Sequence, residues 1–166
     1  MWIAGKLNMK IAFYATMRPD FSNASVRAMN IAKHGMNDFR MIMGSSDKLL
    51  EPAGTILFHE EFIKNLFKWF EKDLCDTRVV ITHHAPVVNP NTQYGDSNLM
   101  PAFNSLDMKK VIRKYKPRLW VYGHTHECDK QMAGKTQVIS NQLGYPNRYG
   151  GFECRGFDEA GVVVEI

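Results

Sequence analysis

Two stretches constrain this chain more than any other feature: RVVITHHAP, from Arg78 to Pro86, and RLWVYGHTHECD, from Arg118 to Asp129. Each is a short run of consecutive apolar residues that stops at histidines. Consecutive apolar positions, without alternation, mark a strand buried on both faces. Strands preceded by helical segments imply a layered α/β architecture with parallel pairing at its centre. In open α/β sheets, ligands bind outside the carboxyl ends of the strands, and both histidine groups fall there. If the two strands are neighbours, His83, His84, His124 and His126 converge on one patch.

The rest of the chain fits that frame. KIAFYAT (Lys10 to Thr16) and FRMIM (Phe39 to Met43) read as strands, and SVRAMNIAKHG between them as a short helix closed by Gly35. TILFHEEFIKNLFKWFEKDL is the strongest helix. Ile63, Phe67, Phe70 and Leu74 form an apolar face, widened by Phe62, Leu66 and Trp69. That stripe is core and carries no function. The long stretch from Pro86 to Phe103 has little periodicity and reads as a loop. SLDMKKVIRKYK is a helix with Ser105 as N-cap and Leu106, Val111 and Tyr115 facing inward. TQVIS and GVVVEI supply two further strands. There is no internal repeat and no linker, so a single domain over residues 1–166 is expected.

Charge and cysteine usage narrow the function classes. A net charge of +4 suits a small anionic substrate and is far from the dense basic patch that nucleic acid requires. Cys75, Cys128 and Cys154 are an odd, widely spaced set, which argues for ordinary thiols in a reducing compartment. Lys6 and Lys10 interrupt the N-terminus, so it lacks the apolar core of a signal peptide. No apolar run approaches the ~18 residues that span a bilayer. A cytoplasmic location is expected.

The histidines carry the chemistry. In an extended segment His124 and His126 point the same way and Thr125 points oppositely. Gly123 removes a side chain where backbone or ligand must approach closely. Neutral imidazole is the commonest nitrogen ligand for Zn, Mn or Fe. Two other metal sites are weighed on the same residues. The H-x-H-x-D-H signature of a metallo-β-lactamase fits poorly, because Asp129 arrives one place late and no histidine follows. A structural zinc module from His124, His126 and Cys128 lacks a nearby fourth ligand.

VVITHHAP and LWVYGHTHE, with the intervening YGDSNLMPAF and the later ISNQLGYP, resemble the calcineurin-like metallophosphoesterase family, in its branch of small bacterial phosphoesterases. FYATMRPDF and GMNDFRMI are similar to the middle region of that branch, so the likeness runs from about Lys10 onward. The resemblance implies an α/β/β/α sandwich that holds two metal ions and hydrolyses phosphate mono- or diesters. Carried over residue by residue, His83, His124 and His126 match metal ligands. His84 is the catalytic candidate and the alternative strand-end ligand. Tyr94, Asp96 and Asn98, in the loop beside the site, are the candidate substrate contacts. Asn141 lies in a matching segment and is given no role. The implied cofactor is Mn, Fe or Zn, and the implied partner is a small phosphate ester, with neither nucleic acid nor membrane.

The sequence departs from the family pattern in one respect. The family's N-terminal D-x-H, G-D and G-N-H-D/E motifs are not found here. Gly95–Asp96 matches the substrate-side loop instead, Asp20 and Asp47 lack a partner histidine, and His34 and His59 sit on predicted helices. The expectation that follows is a chain holding only the C-terminal part of the domain, N-terminally truncated, with a partial α/β/β/α sandwich. It would bind one metal ion rather than two and hydrolyse weakly or not at all alone. Its uncovered edges would favour self-association or pairing with a complementary N-terminal fragment.

Overall fold

The computed structural model describes residues 11–12, 23–44, 47–72, 77–95, 108–154 and 156–165. Its frame is a five-stranded sheet built from β1 (Ile11–Ala12), β2 (Val79–Thr82), β3 (Leu119–Val121), β4 (Asp129–Ala133) and β5 (Thr136–Ser140). The spatial order is β1-β2-β3-β5-β4. β1, β2, β3 and β5 run parallel, and β4 closes one edge antiparallel to β5. The pairing of Val79 with Leu119 and of Ile81 with Val121 sets β2 and β3 side by side in register. Their carboxyl ends therefore stop level.

The helices are α1 (Asn23–Gly35), α2 (Asp38–Met41), α3 (Pro52–Phe70) and α4 (Met108–Tyr115). Side chains alternate across a strand, and two clusters result. On one face Val80, Trp120 and Val138 meet Leu66, Trp69 and Phe70 of α3 and Val111 and Ile112 of α4. Phe70 and Tyr115 stack at 4.5 Å, and Trp120 is fully buried. Val79, Leu119 and Ile139 form the opposite cluster, with Ile81, Val121 and Val164 packed on it. A third cluster joins Ala28 and Ala32 of α1, Met36 just beyond it and Phe39 of α2, with Ile56 of α3 packed against it.

Two expectations about local structure need correction. FRMIM is not a strand: residues 38–41 are helical, followed by an isolated bridge from Met43 to Leu49. A strand there would bury Phe39, Met41 and Met43 together, yet only Phe39 finds a pocket, against α1, while both methionines lie exposed. GVVVEI forms no strand among the described residues, and Val163 is solvent-facing. β4 went unforeseen. Asp129–Ala133 folds back on β5 through the two-residue turn Gly134–Lys135, where Gly134 takes φ 64°, open to a residue without Cβ. Ser105, Leu106 and Leu74 lie outside the described residues.

The expectation of a partial sandwich, C-terminal part only, does not hold either. Elements run from Ile11 to Ser140, through most of the chain. The N-terminal helices are built into this architecture: α1 and α2 share a core with α3, and α2 delivers a carboxylate to the histidines described next. No described helix is long and apolar enough to cross a membrane.

Candidate metal centre

Beyond Thr82 the chain passes through His83 and His84, then drives Ala85 and Val87 into the main core. Beyond Val121 it passes through Tyr122 and Gly123 to His124. The Gly123 N–H donates to the His83 carbonyl at 3.1 Å, so β-type pairing continues past the strand ends and holds the two histidine segments together. A second tie runs underneath. The Trp120 indole donates to the Thr82 hydroxyl at 2.9 Å, and that hydroxyl donates to the His84 carbonyl at 2.7 Å. The His83 and His124 ring centroids are 4.5 Å apart, and His84 lies 4.4 Å from His124.

The first residue of α2, Asp38, completes the cluster. Ligand atoms of Asp38, His83 and His124 all lie within 4.8 Å of one another, and all three side chains are half-buried. Atoms bound to a common ion at ~2.0–2.2 Å sit at most ~4.4 Å apart, so small torsional changes close the gap. One carboxylate with two imidazoles is a donor set that suits Zn, Mn or Fe. Burial, as the largest influence, lowers the His83 pKa; Asp38 pulls it up and His126 pushes it down. Neutral imidazole, the form a metal needs, is thereby favoured.

Asp38 stands immediately before FRMIM, and a strand there gives it no reason to face the histidines. A residue opening a helical turn can reach a sheet end from which a strand would have carried it away. Gly123 is less demanding than expected: an added Cβ would meet its nearest neighbour, the His83 carbonyl, at 3.8 Å, an ordinary contact.

His126 is placed elsewhere, and for a definite reason. The segment after Gly123 is not extended; His124 and His126 both take left-handed backbone, φ 68° and 52°. Such a conformation costs a non-glycine residue ~1–2 kcal/mol, so the surroundings must hold it. Gln142 does much of this. Its Oε1 accepts from the His126 N–H at 2.9 Å, and its Nε2 donates to the Thr125 hydroxyl, the Glu127 carbonyl and Ser140 Oγ. Tyr94 donates to the Thr125 carbonyl at 2.8 Å. Buried Glu127 accepts from Asn89, Thr92 and the Gln93 N–H. The His126 ring turns toward the C-terminal segment, with Nδ1 2.7 Å from Glu153 Oε2 and Tyr145 edge-on at 4.5 Å.

Burial raises the Glu153 carboxyl, but the hydrogen bonds from His126 and the Tyr145 N–H outweigh it and leave the group below the usual carboxylate range. The Tyr94 hydroxyl is raised by burial and then by the charge of Glu127. Asp96 and Asn98 lie outside the described residues. Asn141 ties down the chain end, exchanging hydrogen bonds with the backbone of Asp158. Asp129 belongs to β4, where it accepts from Tyr122 and Gln131. Among the described residues, neither it nor Cys128 joins the metal cluster. Cys128 Sγ instead lies 3.1 Å from Cys154 Sγ, and burial followed by that contact pushes the Cys128 thiol up to about 11. Glu153 and Gln142 carried no sequence signal of their own.

The family model described as calcineurin-like phosphoesterase matches residues 13–128. That span is the bulk of the chain and includes α1, α2 and α3, so the expectation of a C-terminal portion alone is overturned. An uncharacterised protein of Acanthamoeba polyphaga mimivirus is 26% identical over 80% of this chain and 50% of its own length. The chain thus spans about half the length of that curated relative. The crystal structure of TT1561 of Thermus thermophilus aligns at 15% identity and a TM-score of 0.33, covering 61% of this chain and 37% of that one.

Proposed function

Because the chain belongs to the calcineurin-like phosphoesterase family, we propose that it is a metal-dependent hydrolase of phosphate mono- or diesters, working from one divalent ion held by Asp38, His83 and His124. The observation that carries this reading is the donor triad at the carboxyl ends of two adjacent parallel strands. A divalent ion held there supplies Lewis acidity to a phosphoryl oxygen and lowers the pKa of water.

The chain's own groups prepare that chemistry. Two neutral imidazoles and one carboxylate leave net positive charge facing the anionic ester. His84, buried against His124, is the residue proposed to hold a proton beside the reacting group. His126 is proposed as a further ligand, drawn in when an ion is present. Its Nδ1 is engaged by Glu153, which leaves Nε2 as the donor atom. Tyr94, whose hydroxyl donates to the Thr125 carbonyl of the histidine loop, is proposed with Asp96 and Asn98 as a contact to the ester.

Turnover of an aryl phosphate by the purified chain should require added Mn or Zn. It should also be slow, because one ion lacks the second cation that clamps the leaving oxygen. His124→Ala should abolish both tight metal binding and turnover while the chain stays folded. A chain that binds no ion stoichiometrically, or that hydrolyses equally well in chelator, would overturn the reading.

A further inference from the structure

We propose that Cys128 and Cys154 form a reversible intrachain disulfide that locks residues 141–154 onto the histidine loop. The two sulfurs are 3.1 Å apart, and both thiols are free and half-buried. A disulfide spans ~2.05 Å, so closure requires a movement of about 1 Å. The surrounding backbone already holds Cys154 in place. The Cys154 N–H donates to the Leu143 carbonyl at 3.2 Å, and the Glu153 N–H to the Tyr145 carbonyl at 2.9 Å. Gly156 packs against Cys128: a Cβ there would come within 3.2 Å of Cys128 Cβ, so glycine lets the chain pass close to that thiol.

The position of the pair gives the bond a consequence. Cys128 stands two residues beyond His126, and Cys154 follows Glu153, whose carboxylate meets the His126 ring. Gln142, which braces the left-handed turn through its side-chain amide, lies in the segment that the bond would fasten. In the reduced chain these supports rest on non-covalent contacts. In the oxidised chain a covalent tie between positions 26 residues apart reinforces them.

The oxidant assigned is a peroxide. One cysteine sulfur attacks a peroxide oxygen, the O–O bond breaks, and the departing hydroxide leaves as water after taking a proton. The second sulfur then attacks the resulting sulfenic sulfur, the S–O bond breaks, and a second water leaves. Two thiols lose two electrons and two protons, and hydrogen peroxide becomes two waters. A dithiol reverses the step by exchange.

The test uses the purified full chain treated with stoichiometric hydrogen peroxide under native conditions. It does not depend on the chain being a hydrolase. The chain has three cysteines. Accessible and inaccessible thiols counted together after denaturation should fall from three to one. A non-reducing peptide map should join Cys128 to Cys154 within one chain. Proteolytic cleavage within residues 141–154 should slow several-fold, and dithiothreitol should restore both readings. Cys128→Ser and Cys154→Ser should each leave the thiols uncrosslinked, and the wild-type map stands whether or not those variants fold. A thiol count that stays at three, a bridge through Cys75 or between chains, or a crosslink that leaves proteolysis unchanged would overturn the proposal.

Discussion

Replacing Asp38 by asparagine tests the reading of the metal centre most directly. The change keeps size and hydrogen-bonding capacity but removes the cluster's one negative charge. Asp38 opens a helix of four residues and is half-buried, so the fold loses little. A carboxylate at a helix N-terminus contributes ~0.3–1 kcal/mol. The effect on an ion is far larger. Losing a group that merely orients a ligand costs 10–100-fold in metal affinity, so losing a direct ligand should exceed ~100-fold. At 1.36 kcal/mol per decade, that is ~2.7 kcal/mol or more. Competition with a chromogenic chelator for Zn or Mn measures it, with a urea titration alongside to show that the chain remains folded. The reasoning fails if Asp38→Asn binds one ion as tightly as wild type while His83→Ala does not bind. The ion would then rest on the histidines alone.

Other outcomes follow from the same contacts. Gln142→Ala removes a side chain with four hydrogen bonds around the His124–Glu127 turn. At ~1 kcal/mol net each for the well-formed ones, urea unfolding should register a loss of ~2–3 kcal/mol. Trp120→Ala empties a fully buried site and removes the indole donor from the Thr82 hydroxyl. A destabilisation of ~3–5 kcal/mol is expected, together with weaker metal binding; a change under ~1 kcal/mol would contradict the packing described. Because burial depresses the His83 pKa, its neutral form favours the fold. In metal-free chain its contribution should be full above the unfolded value of 6.5 and should fade as pH drops from there through the folded pKa. An NMR titration that finds His83 above 6.5 would reverse that sign.

The parts of this protein that could be read without coordinates are those set by local pattern. The amphipathic stripe of α3 and the uninterrupted apolar runs of β2 and β3 follow from burial geometry that a few residues dictate. That the histidines stand at strand ends follows from where those runs stop. In FRMIM local pattern misled. Five largely apolar residues fit a strand as well as a helical turn, and a single contact, Phe39 against α1, decided between them. β4 is short and half-polar, visible only once β5 offers it an edge.

Spacing in the sequence determined that this chain would carry a histidine cluster at the carboxyl end of a parallel sheet. It could not determine which residues share the cluster, because Asp38 and His83 are 45 positions apart and only the packing of α1, α2 and α3 brings them together. Tertiary structure alone also turned His126 away from His124. Two positive φ angles, held by Gln142 and Glu153 from a later segment, override the alternation that an extended H-x-H pair would follow. Periodicity is a property of neighbours along the chain, whereas a ligand set is a property of neighbours in space, and the two coincide only where the backbone stays regular.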